Sequence, residues 1–520
     1  MAEEDILFGK NRHLFGGIAP SNMLQFSAKR DNTNNRVEIS YELPAETIID
    51  GQVICTVAGA VIRKSTEGYP ETEFDGELIV DTKFENGSTY DFGVPQDAGV
   101  YYAAFPYSKM GVYNRNKANR ASVGVFEGTY LFGYDLDTTD KNPSTRVSYP
   151  EDVHNHGFTP AKMNFTSGAF EYGDWTSTPG EYFMPKPCML KYNGTVDYYL
   201  DPNDYTKKED GTASDIAGSS YSGNAMMEWP KIYTKRWEEN GIYHFRCSDV
   251  KVDDEYECWC NYDGNNNEID HFYTAIYRGY ALNSTLRSRS GTGATRELTM
   301  TTERSYAKSN GTGWDLEVLS DHLLIQDLLV LISKSTNTQA TFGAGRASSS
   351  LVSTGSTNTS GLFSGASDSS ASVKVFGMED WWGDLSRRIL GLTVYMGTVY
   401  AKITKGTKDG STASDYAIDN VSGYLTCDTF GTATVYGYIN DMVTYPWGRL
   451  PCGHKGSATT YECDYAYFMY STHSYYPAEI GGSYNISTDY KGAFMYYFDR
   501  TAPAEIAWMT SRLSYKPTAS

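Results

Sequence analysis

Two adjacent tryptophans in a glycine-bounded segment, VKVFGMEDWWGDLSRRILG at residues 373–391, constrain this chain more than any other stretch. Indole rings are costly to leave in water, so the segment has to form an element that buries them. Val373, Val375 and Phe376 start as a strand, and Gly377 breaks it. Beyond the glycine, Glu379 and Asp380 fall in the first turn of an expected helix, where acidic side chains suit the positive end of the dipole. Arg387 and Arg388 fall near its other end, and Gly391 stands where a helix stop is expected. Met378, Trp382, Leu385 and Ile389 recur at helical spacing on one face, and Trp381 and Leu390 widen that stripe. The segment predicts a buried anchor helix. Glu379 and Asp384 do not read as a catalytic pair, because no nucleophile, metal cluster or histidine stands beside them.

A chain of 520 residues is too long for one core and predicts two or three domains. Tyrosine, at 43 residues, is far above ordinary usage, and Gly, Ser, Thr and Asn are abundant. That mixture predicts a mainly β protein with few helices (α+β), an N-terminal β-sandwich followed by a larger domain. The net charge of −20 argues against nucleic acid and against anionic membrane surfaces, since both are held by Lys and Arg. The start, MAEEDILFGKNRH, lacks a basic segment followed by an apolar run. The longest apolar window, 323–332, is too short to span a bilayer and contains Gln326 and Asp327. These features predict an acidic protein made in a cytoplasm, with no membrane insertion. Eight cysteines in this length are no disulfide scaffold. Cys258 and Cys260, with Cys247 upstream, lack zinc-knuckle spacing and read as buried thiols. Cys427, Cys452 and Cys463 are free to pair only in an oxidising compartment. No cofactor is expected.

In chain order, residues 1–35 read as a polar attachment arm. Residues 36–125 alternate and turn repeatedly: Val37-Glu-Ile39-Ser-Tyr41, a stop at Pro44, turns at Asp50-Gly51 and Asp75-Gly76, and strands near 53–64, 77–80 and 100–107. This predicts a small β-sandwich. Through ISYELP, the DG turn and YYAAFPY it resembles fibronectin type III or immunoglobulin-like modules, which implies a spacer or docking unit. Residues 126–180 read as a connector, in which His154 and His156 mark a solvated turn. Residues 181–520 read as one large unit. Its loop 263–270 (DGNNNEID) has oxygen ligands but lacks the sixth-position glycine and closing glutamate of a hand-type calcium loop, so a hydrated hairpin tip is expected. Leu316, Leu319, Leu323, Leu324 and Leu328 predict a helix over 314–333.

Between residues 461 and 497 lie ten tyrosines, with Ser, Gly and Asn around them. Such a mixture suits protein recognition, and aromatic rings beside Asp and Asn suit sugars. About half of these tyrosines should face a core. The candidate ligand-binding residues are Tyr445, Trp447, His473, Tyr475, Tyr476, Asp489 and Tyr490; Trp381, Trp382, Gly481 and Gly482 are candidate structural anchors.

The segments GMEDWWGD (377–384), GGSY (481–484) and a terminal strand around Arg512-Leu513 occur in that order. In this they resemble the C-type-lectin-like fold, in its formylglycine-generating-enzyme branch and in the related host-binding proteins of bacteriophages. The resemblance covers roughly residues 185–515. Enzymes of that branch carry cysteines beside the late strands, or a three-histidine iron site; no cysteine follows Cys463, and the eight histidines lack that spacing. The resemblance therefore implies a non-enzymatic virion protein: a tail or baseplate receptor-binding protein, assembled in the bacterial cytoplasm, that recognises a host cell-surface glycan or protein and contacts other virion proteins. It also implies a homotrimer. A head fibre or capsid decoration protein is the alternative, followed by an enzyme of the formylglycine-generating branch.

Overall fold

The computed structural model describes residues 17–31, 36–49, 51–92, 94, 99–123, 131–348, 351–413, 415–484 and 490–518. The chain forms two compact units, Met1–Thr129 and Tyr130–Ser520. The protein is mainly β, with three helices among the described residues.

Among the described residues the first unit holds nine strands: β1 Gln25–Asp31, β2 Arg36–Glu42, β3 Thr47–Ile49, β4 Gln52–Cys55, β5 Val57–Ser65, β6 Glu77–Asp81, β7 Gly87–Phe92, β8 Val100–Ser108 and β9 Arg120–Val123. A three-stranded sheet (β1-β2-β7) and a four-stranded sheet (β6-β5-β8-β9) enclose one core of Val37, Ile39, Ile62, Val100, Tyr102 and Ala104. The central strands β5 and β8 are buried over long apolar runs, as central strands require. Inside this core Asp91 accepts from Tyr102 Oη at 2.7 Å and pairs with Lys64 Nζ at 2.7 Å. The expected arm 1–35 is corrected in part: Gln25–Asp31 is a strand that pairs in antiparallel register with Arg36–Glu42. Residues 1–16 lie outside the described residues.

The second unit is built on two larger sheets. Seven strands run in the order Asp204–Lys208, Val196–Asp201, Lys186–Lys191, Gly223–Pro230, His271–Ala275, Leu513–Tyr515, Trp314–Leu316. The other sheet runs Leu425–Thr429, Thr398–Ala401, Ser386–Tyr395, Tyr476–Ile480, Tyr496–Phe498, Tyr465–Phe468, Val435–Tyr438, with Met509–Thr510 added in parallel to Ser386–Tyr395. The segment expected as a connector is part of this unit. Its strand Phe132–Asp137 pairs with Ile242–Ser248, and Phe132 packs beside Trp175 and Phe183. His154 and His156 lie in an exposed turn, as expected, where His154 meets Phe132 edge-on and His156 Nδ1 lies 3.1 Å from the carbonyl of Tyr149.

The leucine spacing locates the helix Leu319–Ser333, but Trp314–Leu316, expected as its first turn, is a strand. All fifteen residues of the helix are buried, so it is a core rod and not the surface element that an amphipathic stripe implies. Its polar residues are paired inside. Asp327 takes Arg236 Nε at 2.7 Å and Tyr134 Oη at 2.8 Å, and Asp321 takes Lys516 Nζ at 2.8 Å.

The tryptophan segment is not a helix. Lys374–Val375 and Met378–Glu379 make a tight hairpin, and the chain reverses again before the ten-residue strand Ser386–Tyr395. Phe376, Asp380 and Asp384 have φ of 46°, 52° and 59°, and Gly377 and Gly383 have 81° and 80°. A right-handed helix cannot pass through so many left-handed residues. The charges expected at helix ends are buried in pairs instead: Asp380 meets Arg278 at 3.5 Å, beside Asp384 to which Arg278 also donates, Arg387 meets Glu317 at 3.0 Å, and Arg388 meets Glu303 at 2.9 Å. Glu379 accepts from the backbone N–H groups of Gly355 and Thr357 at 2.7 and 2.8 Å. Tertiary pairing, not the dipole, fixes these side chains.

Candidate functional site

A tyrosine face forms where three short strands of the eight-stranded sheet come together. In Tyr465–Phe468 (YAYF) alternation sends Ala466 and Phe468 to the core and Tyr465 and Tyr467 to the other side. The edge strand Val435–Tyr438 pairs Tyr436 with Tyr467 and Tyr438 with Tyr465. On the other flank Tyr497 lies beside Tyr467 in parallel register. Tyr496, pointing inward, has its hydroxyl 3.2 Å from Gln326 Oε1 on the buried helix. Six tyrosines thus share the outer side, Tyr436, Tyr438, Tyr465, Tyr467, Tyr497 and, stacked on Tyr465, Tyr490; Tyr465 itself is buried there at 7% exposure.

The rings stack across the strands. Tyr436 and Tyr467 are 5.7 Å apart at 17°, Tyr467 and Tyr497 4.6 Å at 16°, and Tyr465 and Tyr490 3.8 Å at 16°. Rings parallel across neighbouring strands turn their faces to one another, so the surface shows ring edges and phenol hydroxyls. Only Tyr436, at the sheet edge and 61% exposed, leaves a broad ring face open. The site therefore offers a row of hydroxyl donors and acceptors next to one stacking ring, suited to a ligand rich in hydroxyls or amides.

A buried and a partly buried acid, Glu479 and Asp499, border this row. Glu479 is the register partner of Tyr497, is 1% exposed, and neither carboxylate oxygen meets a protein donor. Burial, and then the neighbouring Asp499, push its carboxyl well above the usual carboxylate range. Burial also raises Asp499, which pairs with Arg500 at 2.8 Å.

The candidate ligand-binding residues divide in the structure. Tyr490 is in the face. Tyr445 and Trp447 lie on the separate hairpin Asp441–Tyr445/Gly448–Gly453, stacked on each other at 4.5 Å and 2°. Trp447 is corrected to a core residue at 4% exposure, and so is Tyr476 at 8%, which joins Ala478 and Ile480 on the inner side of its strand. His473 is exposed, and half-buried Tyr475 stacks on Tyr395 at 4.1 Å. Asp489 lies outside the described residues. Sequence reasoning missed Tyr436 and Tyr438. The signal was there: VYGY, like YAYF, alternates aromatic with small residues, so both strands had to put their tyrosines on one side.

The three segments that carry the lectin-like resemblance meet in one buried network. Trp382 Nε1 donates to Gly343 O at 3.0 Å, and Trp381 stacks on His322 at 4.8 Å. Gly481 and Gly482 have φ of 81° and 74°; a side chain at Gly481 would meet Trp381 O at 3.0 Å. Arg512 donates to the carbonyls of Glu379 and, at 3.0 Å, Ala275.

In the hairpin tip 263–270, the Asp263 carboxylate accepts from the N–H groups of Asn265 and Asn267 at 2.8 and 2.9 Å, which closes the loop on itself. Nearby Glu257, Cys258 and Glu268 have ligand atoms within 4.8 Å of one another. The carboxylates are engaged, Glu257 by Tyr262 and by Lys408 at 3.0 Å, Glu268 by Tyr233 at 2.8 Å, and burial pushes the Cys258 thiol up to about 12. All eight cysteines are free thiols. A cavity of about 50 Å³ between Trp259, Asp315, Lys405, Tyr416 and Lys516 has room for a few waters. No helix among the described residues is long and apolar enough to cross a membrane.

No protein-family model matches this chain, and no curated protein is significantly similar to it.

Proposed function

We propose that this chain is a structural protein of a bacteriophage virion, a tail or baseplate adhesin. In this reading the larger unit holds a host cell-surface glycan or protein against the outer side of the strands at 435–438, 465–468 and 496–498. The smaller unit attaches the chain to the particle, and the role is non-catalytic. The observation that carries the binding role is the gathering of five tyrosines, Tyr436 to Tyr497, onto one side of one sheet, with Tyr490 stacked against them. The order of the GMEDWWGD, GGSY and terminal segments, and their resemblance to phage host-binding proteins, supports the setting.

The test is binding of the fluorescently labelled full chain to a panel of intact bacteria, to peptidoglycan and to lipopolysaccharide, beside the variant Tyr436→Ala/Tyr467→Ala. Saturable binding weakened tenfold or more in the variant is expected, since two aromatic contacts at about 1 kcal/mol each exceed the ~1.4 kcal/mol of a tenfold change. Absence of saturable binding across the panel, or binding that the variant leaves unchanged, overturns the reading.

A further inference from the structure

The cavity of about 50 Å³ beside Trp259, Lys405 and Tyr416 belongs to the larger unit and shares no residue with the tyrosine face. Part of its lining is apolar: Leu316, Val318 and Ile403 are at most 3% exposed. The rings of Tyr262 and Tyr416, both buried, add to it. Half-buried Trp259 and Lys405, with exposed Gly264, mark where it meets water. A concave, largely apolar space with a few polar groups is the usual form of a small-molecule site.

Two polar groups of the lining stand unused. Thr404 is 3% exposed, and its Oγ1 has no hydrogen-bond partner, a loss that an occupant of the cavity would make good. Lys405 Nζ pairs with Asp315 at 3.5 Å and makes no other ion pair among the described residues. That carboxylate is already taken, by Arg304 Nε and Nη2 at 3.0 and 2.9 Å and by the N–H of Leu316 at 2.9 Å. Arg304, Lys308 and Lys405 are thus three cations against two anions, Asp315 and Asp415. The other acid of the lining, Asp263, accepts from its own loop, and the other lysine, Lys516, is held by Asp321 and the carbonyl of Cys260. One ammonium with unmatched charge therefore stands next in sequence to an orphan hydroxyl, beside an apolar wall.

We infer that this cavity binds a small monocarboxylate of acetate or propionate size, its carboxylate held by Lys405 Nζ and Thr404 Oγ1 and its tail against Leu316, Val318 and Ile403. A negative group answers the surplus cation, an acceptor answers the hydroxyl, and a hydrocarbon answers the wall. Size sets the chain length: at roughly 10–15 Å³ for each water, the cavity replaces about four waters, the bulk of two or three carbons and a carboxylate. A sugar ring is too large for it. The site stands or falls apart from the adhesin reading.

Fluorine NMR of the full chain carrying 5-fluorotryptophan tests it, with the Trp259 signal assigned from Trp259→Phe. Propionate, titrated against chloride at constant ionic strength, should shift that signal saturably with a Kd of about 1 mM, within what so few atoms can supply. Propionamide, which keeps the shape without the charge, should bind at least about tenfold more weakly. Lys405→Met keeps the stem and should weaken propionate about tenfold; Thr404→Val keeps the shape and should weaken it about threefold. If Lys405→Met disturbs the other tryptophan signals, Thr404→Val and propionamide decide. No saturable shift up to about 50 mM, propionamide binding as tightly as propionate, or affinity unchanged in the variants overturns the inference. A shift that chloride reproduces marks an adventitious ion only, and overturns it as well.

Discussion

The two units place their chemistry in opposite ways. The smaller keeps a short apolar core and shows Phe74, Phe84 and Phe92 to water at 65–75% exposure. The larger hides charges: Arg387, Lys374, Lys402 and Lys491 are fully buried, each bonded to carboxylates, hydroxyls or carbonyls. A buried ion pair adds little net stability over well-packed apolar residues, but losing one partner is severe, so such networks favour one arrangement of the chain over its competitors. Exposed phenylalanines add little to the stability of the unit that carries them. The larger unit is thus specified from within, whereas the smaller leaves more of its large apolar side chains in water.

The largest effect expected from this contrast is at Arg387. Arg387→Met leaves Glu317 buried and unpaired, and should cost about 3–5 kcal/mol in urea denaturation followed by tryptophan fluorescence. A loss under about 1 kcal/mol breaks the claim that buried pairing specifies this unit.

Next comes pH. The folded state raises the Glu479 carboxyl, so it binds a proton that the unfolded chain has already released, and stability falls as pH rises from the ordinary glutamate range toward the raised value. Glu479→Gln should raise the melting temperature at pH 8, with the gain shrinking toward pH 5. A gain that is constant across that range assigns the effect to packing and not to titration.

Smaller again, Tyr467→Ala removes stacking on both Tyr436 and Tyr497 and should cost about 1 kcal/mol in the same denaturation. The smallest effect is expected for Phe74→Ser, within about 0.5 kcal/mol, because its ring is 75% exposed. If Phe74→Ser costs as much as Arg387→Met, the two units do not differ as described.

Much of this architecture was legible where a local pattern had one solution. Tyrosine, glycine and alternation announced a mainly β chain, and the leucines at 319, 323, 324 and 328 announced the helix. Its burial on every side was not legible, because Asp321, His322, Gln326 and Asp327 mimic a wet face until their partners arrive from residues 516, 496 and 236. The tryptophan segment misled for the same reason. Its acids and arginines sit where helix ends would want them, yet their partners are Arg278, Glu317 and Glu303, seventy or more residues away. Of the candidate site, Tyr490 fell into the tyrosine face, whereas Trp447 and Tyr476 went to the core. A run of tyrosines shows that some must face out; only register across strands decides which.

Strand Leu513–Tyr515 lies between His271–Ala275 and Trp314–Leu316 in the seven-stranded sheet. During synthesis the sheet is therefore left with a gap until residue 515 has cleared the ribosome, long after residues 1–129 are free to fold. Throughout translation of the roughly two hundred residues between Leu316 and Leu513, two strand edges wait unpaired. Premature termination anywhere before that strand would release a polypeptide with an open slot in its main sheet, a natural substrate for chaperones and proteases.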